Sequence, residues 1–96
     1  MDMTDSPSGR SALSAAFAEQ MRAERAAARI SQADLSKRTT ISLSTIKRLE
    51  MNEREMDTDQ LARICAALGV SIVDFVMRAE VRRGGHSAQG DMPAAR

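Results

Sequence analysis

Residues 31–50 read SQADLSKRTTISLSTIKRLE, and the rest of the chain can be interpreted around this stretch. It predicts two short helices, over about 32–38 and 43–51, separated by two β-branched threonines that weaken the helical preference. Ser31 and Ser42 precede the two helices, and a serine hydroxyl there can accept a hydrogen bond from a backbone N–H of the first turn. The pattern therefore indicates a compact helix pair joined by a tight turn.

The second helix of the pair sorts its residues into two faces. Ile46 and Leu49 share the face that we expect to be buried. The opposite face contains no acid and carries Leu43, Ser44, Lys47, Arg48 and Met51. Such a face suits a helix in the major groove of DNA, with its first residues at base edges and its cations near phosphates. A solvent-exposed surface helix explains the same charges equally well, so this face alone leaves both readings open.

The composition limits the fold to one small helical domain. Ninety-six residues allow a single domain with tails, and 43% apolar and 28% charged residues are typical of a globular chain. Aromatic residues make up only 2%, so the core must be aliphatic. Abundant alanine, sparse glycine and the absence of Trp and Tyr favour an all-α fold.

The net charge of +1 conceals a strongly uneven distribution. Residues 29–48 contain five cations and one acid, whereas residues 50–60 contain five acids and one cation. A chain with adjoining basic and acidic stretches can present one side to a polyanion while the other side repels it.

Several classes of protein are disfavoured by what the sequence contains. A single cysteine, Cys65, cannot form an internal disulfide, which agrees with a reducing cytoplasm, and its helical spacing marks it as a small core residue rather than a reactive thiol. No apolar run is long enough to span a membrane, and the N-terminus lacks a secretory signal. We find no Ser/His/Asp set, metal-ligand cluster or phosphate loop, so we expect neither an enzyme nor a cofactor or metal.

The chain divides into three parts. Residues 1–10 are rich in Ser, Thr, Pro and Gly and are expected to form a flexible arm. Residues 11–82 are expected to form the domain, and residues 83–96, with little apolar content, a disordered tail. His86, the one histidine, falls in that tail and is not a candidate catalytic base or metal ligand.

The fifth expected helix, beginning at Ser71, carries two apolar stripes. One contains Ile72, Phe75, Val76 and Ala79, and the other contains Val73, Met77 and Val81. One stripe is enough to dock a helix on a small domain, so the second indicates a surface for a partner. The alternative, that the domain simply covers more of this helix, is equally compatible with the pattern.

The arrangement resembles a known family. The residues that carry the resemblance are Ile30, Ser31, Gln32, Leu35, Ile41, Ser42, Ile46, Leu49, Glu50, Leu61 and Leu68-Gly69-Val70-Ser71. They are similar to the lambda-repressor-like, Cro/XRE-type helix-turn-helix DNA-binding family, over residues 17–79. The resemblance implies a compact five-helix DNA-binding domain, encoded by a bacterium or a phage and located in the cytoplasm.

The same resemblance implies roles for individual residues. Gln32 matches a glutamine that contacts a phosphate and braces the recognition helix. The base and phosphate contacts of the family fall on Ser42, Leu43, Ser44, Lys47 and Arg48, with weaker contacts to the DNA backbone expected from Lys37 and Arg38. Arg25 and Glu50 match a structural ion pair between the first and third helices.

This chain also departs from the family pattern. Thr40 stands in the turn where glycine is frequent, and Asn52 and Met56 occupy the loop where the family has Gly and then Pro. Leu43 replaces a polar reader; it cannot hydrogen-bond a base edge, although it can pack on a thymine methyl.

Two functional hypotheses follow from these residues. The first is a sequence-specific transcriptional regulator, a repressor that binds a two-fold operator in double-stranded DNA as a homodimer through Val73, Met77 and Val81. The second is an antitoxin-like or regulator-binding module that holds a protein partner with the fifth helix and the acidic loop at 53–59. Neither hypothesis involves a membrane.

Overall fold

The structure is a computed structural model in which residues 11–84 are described. In this range it has five helices and no strand, which confirms the all-α, five-helix fold class. The helices are α1 (Ala12–Ala28), α2 (Gln32–Thr39), α3 (Leu43–Glu50), α4 (Thr58–Leu68) and α5 (Ile72–Arg83). The arm expected at 1–10 and all but the start of the tail expected at 83–96 lie outside the described residues. No helix in the described range has the length and apolar character needed to cross a membrane.

Every helix begins at a side chain that caps it. The five capping residues are Ser11, Ser31, Ser42, Asp57 and Ser71. Each side chain accepts a hydrogen bond from the backbone N–H three residues later, which satisfies one of the donors that a helix start leaves without a partner. Asp57 and Gln60 form a reciprocal capping box, as their spacing predicts.

Left-handed residues end several of these helices, and only one of them is a glycine. Gly69, predicted to stop α4, has a φ of 74°. Arg29, Thr40 and Asn52 adopt φ angles of 58°, 61° and 58°, respectively. Thr40 is unusual, because a β-branched side chain is disfavoured in this region.

The core is aliphatic apart from one aromatic pair. Its largest fully buried side chains are Phe75, Met21, Leu35, Ile46, Leu49, Ile64 and Cys65. The ring of Phe17 packs edge-to-face on Phe75, with centroids 5.5 Å apart, which joins α1 to α5. Helix α1 also packs on α3, and α2 packs on both α3 and α4, so the helix pair sits on one side of this core.

One expectation about α5 is wrong. Ile72 was placed in the buried stripe, but 43% of it is exposed, whereas Phe75 and Ala79 are fully buried. Side chains in a helix lean toward the N-terminus. Ile72 is the first residue of α5, so its side chain leans past the end of the packed surface.

A polar cluster that the sequence did not indicate fastens α5 to α1. The Gln20 amide is buried; its Nε2 donates to Glu24 Oε2 at 2.7 Å, and its Oε1 accepts from Arg82 Nε at 2.6 Å. Arg78 Nη1 donates to the same Glu24 oxygen at 2.7 Å. We call these four residues the α1–α5 clasp. Because both ends of the buried amide have partners, the clasp contributes to docking without an unsatisfied group.

Candidate nucleic-acid interface

Helix α3 presents a continuous exposed face opposite its buried one. Ile46 and Leu49 are 0% and 2% exposed and anchor the helix in the core. All five residues of the predicted outer face are exposed: Leu43, Ser44, Lys47, Arg48 and Met51. The structure therefore brings the candidate base-reading and phosphate-binding residues of α3 together on one accessible surface.

The cations near this surface differ in their availability. Lys47, Arg48 and Lys37 are exposed, and within residues 11–84 none of their side chains forms an ion pair. Arg38, in contrast, lies 3.2 Å from the Asp34 carboxylate, one turn earlier on α2. A cation without a carboxylate partner exchanges only water and counterions for a phosphate, so Lys37, Lys47 and Arg48 are the better candidates for contacting DNA.

The hydroxyl of Ser42 is occupied by the helix itself. Its Oγ accepts from the Thr45 backbone N–H at 3.2 Å and donates to Thr45 Oγ1 at 2.9 Å. The one hydroxyl proton is therefore in use, and a serine has no second one. Ser42 positions the start of α3, and in this conformation it has no proton to donate to a base.

A buried carboxylate holds the other end of α3. Glu50 is only 2% exposed and accepts from Arg25 Nε at 2.7 Å, Arg25 Nη2 at 3.0 Å and Gln32 Nε2 at 3.0 Å. The hydrogen bond to Glu50 raises the pKa of the Arg25 guanidinium, so this group stays charged. Arg25 Nη1 also donates to the Ile30 carbonyl at 3.1 Å, and Arg22 donates to the backbone carbonyl of Glu50.

This arrangement gives Gln32 a defined position at the start of α2. Its amide nitrogen carries two protons, and the bond to Glu50 uses one of them. The other proton can be donated to a phosphate, close to the positive end of the α2 dipole. The position is compatible with both roles that the resemblance implies for this glutamine, since it is already bonded to the recognition helix.

The turn between α2 and α3 is held by side chains in place of a glycine. Arg63 of α4 donates from Nη1 to Thr40 Oγ1 at 3.1 Å. Ser36 Oγ donates to the Ile41 carbonyl at 2.5 Å, and the Ile41 N–H donates to Thr39 Oγ1 at 3.2 Å. Sequence reasoning missed Arg63, because no local pattern links residues 23 positions apart.

The remaining candidate residues lie away from α3. Val73, Met77 and Val81 on α5 are 65%, 61% and 60% exposed, and we call them the α5 stripe. They follow one another at intervals of four residues and so share one side of the helix. Their exposure decides against the alternative in which the domain itself covers this stripe.

The fold and the exposed face of α3 define a helix-turn-helix DNA-binding domain. The model of the Cro/C1-type HTH DNA-binding domain matches residues 20–78, and the chain belongs to this family. The match contains α2, α3 and α4 and every candidate contact residue. The protein is accordingly a DNA-binding protein and not an enzyme.

Solved structures of a bacterial regulator are similar to this chain. One structure of the clp gene regulator ClgR from Corynebacterium glutamicum superposes with a TM-score of 0.74 at 26% identity, covering 86% of this chain and 88% of that one. A second ClgR structure gives 0.68 at 28% identity, with 71% and 88% covered. No curated protein matches the sequence at a significant level.

Proposed function

We propose that this protein is a transcriptional repressor that binds a two-fold symmetric operator as a homodimer. The observation that carries the proposal is the exposed face of α3, where Lys47 and Arg48 have no carboxylate partner while both ends of the helix are fixed. A rigid helix with free cations suits the major groove. The likeness to ClgR, whose name describes a gene regulator, supports a role in transcription.

In this proposal α3 lies in the major groove with its N-terminus toward the bases. Ser44 and Arg48 contact base edges, and Arg48 is suited to guanine because its guanidinium can donate two parallel hydrogen bonds. Lys47, Lys37 and Gln32 contact phosphates and fix the register of the protein on the duplex. Arg38 contributes less, since it must release Asp34 first.

The homodimer follows from the small reach of one recognition helix. Helix α3 has 8 residues, so it is about 12 Å long and spans only a few base pairs. Two copies related by a two-fold axis would read half-sites about one helical turn apart. The α5 stripe is the proposed contact between the copies, because an isologous interface needs a self-complementary surface and this one is apolar and exposed. Occupancy of an operator that overlaps a promoter would then exclude polymerase.

The DNA-binding experiment measures affinity for the upstream region of the protein's own gene across a salt series. We expect specific binding, with affinity reduced about tenfold or more in Arg48→Ala. In Lys47→Ala the salt slope should fall by about 0.9, the value for one phosphate contact. Arg83→Ala is the matched control, since Arg83 lies on α5 and pairs there with Glu80. Salt-independent or absent binding would contradict the proposal.

The dimer experiment compares two exposed methionines. Met77→Glu places a charge in the α5 stripe and should halve the mass measured by light scattering. Met51→Glu is the control, because Met51 is 65% exposed against 61% for Met77 but lies on α3. An unchanged mass in Met77→Glu would remove the α5 stripe as the interface.

The second candidate function is a protein-interaction module, and the α5 stripe is the observation that favours it. An exposed apolar stripe can be covered by a different protein as well as by a second copy. The two functions separate in the mass measurement, since a monomeric wild-type protein would point to a different partner.

A further inference from the structure

Helix α3 begins with an aliphatic side chain that takes no part in the core. Leu43 is the first residue of the helix and is 37% exposed, whereas the other two aliphatic residues of α3, Ile46 and Leu49, are 0% and 2% exposed. A leucine left partly in water on the face that carries Lys47 and Arg48 has apolar surface available for a ligand of that face.

The polar side chains near Leu43 do not extend beyond it. The Ser42 hydroxyl is used in capping α3, and Ser44 is a short side chain whose Oγ lies 3.4 Å from Ser42 Oγ. The longer polar side chains, Lys47 and Arg48, are one or more turns further along. The N-terminal end of a recognition helix is the part that contacts base edges. At that end the side chain with the greatest reach is therefore apolar.

The major groove offers one apolar group to such a side chain. Base edges present hydrogen-bond donors and acceptors, apart from the C5-methyl group of thymine. A leucine placed over the oxygen or nitrogen atoms of other base pairs would remove water from them without replacing its hydrogen bonds. Against the thymine methyl, both surfaces are apolar and both leave water on contact.

We propose that Leu43 is a specificity-determining residue that recognises the C5-methyl group of a thymine in each operator half-site. The inference rests on the proposed function and specifies its substrate as DNA with a thymine at the base pair facing the start of α3. The placement is rigid: the Ser42 cap fixes the backbone on one side of Leu43, and the Arg25–Glu50 pair fixes the far end of the helix.

The test removes the methyl group and nothing else. Deoxyuridine replaces thymidine at symmetric positions of the bound operator, one pair of positions at a time, which keeps all base-edge hydrogen-bonding groups. For wild-type protein we expect one pair of positions at which affinity falls by about fourfold per half-site, the value of one buried methyl-sized group. In Leu43→Ala the same replacement should have no effect.

Two further variants separate chemistry from folding. Leu43→Met remains apolar and should retain the sensitivity to deoxyuridine, whereas Leu43→Gln should lose it. Met51→Ala is the matched control, because it removes an exposed apolar side chain at the other end of α3 and should leave the sensitivity of the Leu43 position unchanged.

The possible results distinguish the inference from the function on which it rests. Specific operator binding with no thymine position that depends on Leu43 overturns the role of Leu43 alone. Absence of any specific binding overturns the proposed function, and the inference with it.

Discussion

Arg25 Nε lies 2.7 Å from Glu50 Oε2, and this contact joins residues 25 positions apart on α1 and α3. The carboxylate is almost fully buried, while the guanidinium keeps some contact with water. Gln32 supplies a third donor to the same carboxylate. The recognition helix is therefore positioned by a buried charge whose partners come from two other helices.

The first prediction concerns the loss of this pair. Arg25→Met leaves the Glu50 carboxylate buried with Gln32 as its remaining side-chain donor, so we expect the free energy of unfolding to fall by about 3–5 kcal/mol. Urea denaturation measures the change. Arg38→Ala is the control, because it breaks an exposed pair with Asp34 and should cost less than about 1 kcal/mol. Equal losses in the two variants would show that burial of Glu50 has no energetic effect.

The second prediction concerns Thr40, which has a φ of 61°. Thr40→Gly removes the steric strain of a side chain in the left-handed region but also removes the acceptor for Arg63. Thr40→Val keeps the strain and loses the same acceptor. We expect the glycine variant to be more stable than the valine variant by about 1–2 kcal/mol in urea denaturation. A valine variant of equal stability would show that the turn is not strained.

The third prediction separates the two roles assigned to Ser42. Because its hydroxyl caps α3, Ser42→Ala should lower the free energy of unfolding by about 1 kcal/mol, whereas Ser42→Gly should lower it by only a few tenths. Ser44→Ala is the control, since Ser44 caps no helix. If Ser42→Gly weakens specific DNA binding strongly while Ser44→Ala does not, Ser42 reads a base after rearranging in the complex.

The fourth prediction concerns the buried thiol. Burial, with a smaller contribution from the Glu24 charge, raises the pKa of Cys65 from 9.0 to about 11. A group whose pKa is raised on folding stabilises the fold fully below its unfolded pKa, so this contribution should be lost between about pH 9 and pH 11. The fall in unfolding free energy over that range should be smaller in Cys65→Ala.

Alkylation gives an independent measure of the same thiol. At pH 8, iodoacetamide should modify Cys65 much more slowly in the native protein than in urea, because the thiolate is the reactive form. Equal rates would mean that the thiol is accessible without unfolding.

The helix starts could be predicted because capping is local. The five capping residues and the N–H groups that they accept from are three residues apart, so the sequence itself contains the pattern. The C-terminal limit of α4 was equally accessible, since glycine favours the left-handed conformation seen at Gly69. Ile72 was misplaced because periodicity gives the direction of a side chain but not the extent of the surface that it meets.

The contacts that support the candidate site were harder to predict. Arg63 reaches Thr40, and Arg82 reaches Gln20, across 23 and 62 residues of sequence. Such pairs depend on how helices pack, and no spacing rule reports them. The pairing of Arg25 with Glu50 was expected only from the family resemblance. The contacts of Lys47, Arg48 and Leu43 with DNA remain predictions.

The α1–α5 clasp has a consequence for the DNA that the protein can accept. Helix α1 holds α5 through Gln20 and Glu24, and it holds the end of α3 through Arg25. In a symmetric pair of subunits joined by α5, the separation and relative twist of the two recognition helices would be set by this single 17-residue helix. Moving one half-site by one base pair shifts it by about 3.4 Å and about a tenth of a turn. With α1 as a common rigid support, such a protein should tolerate sequence changes within a half-site better than a change in the spacing between them.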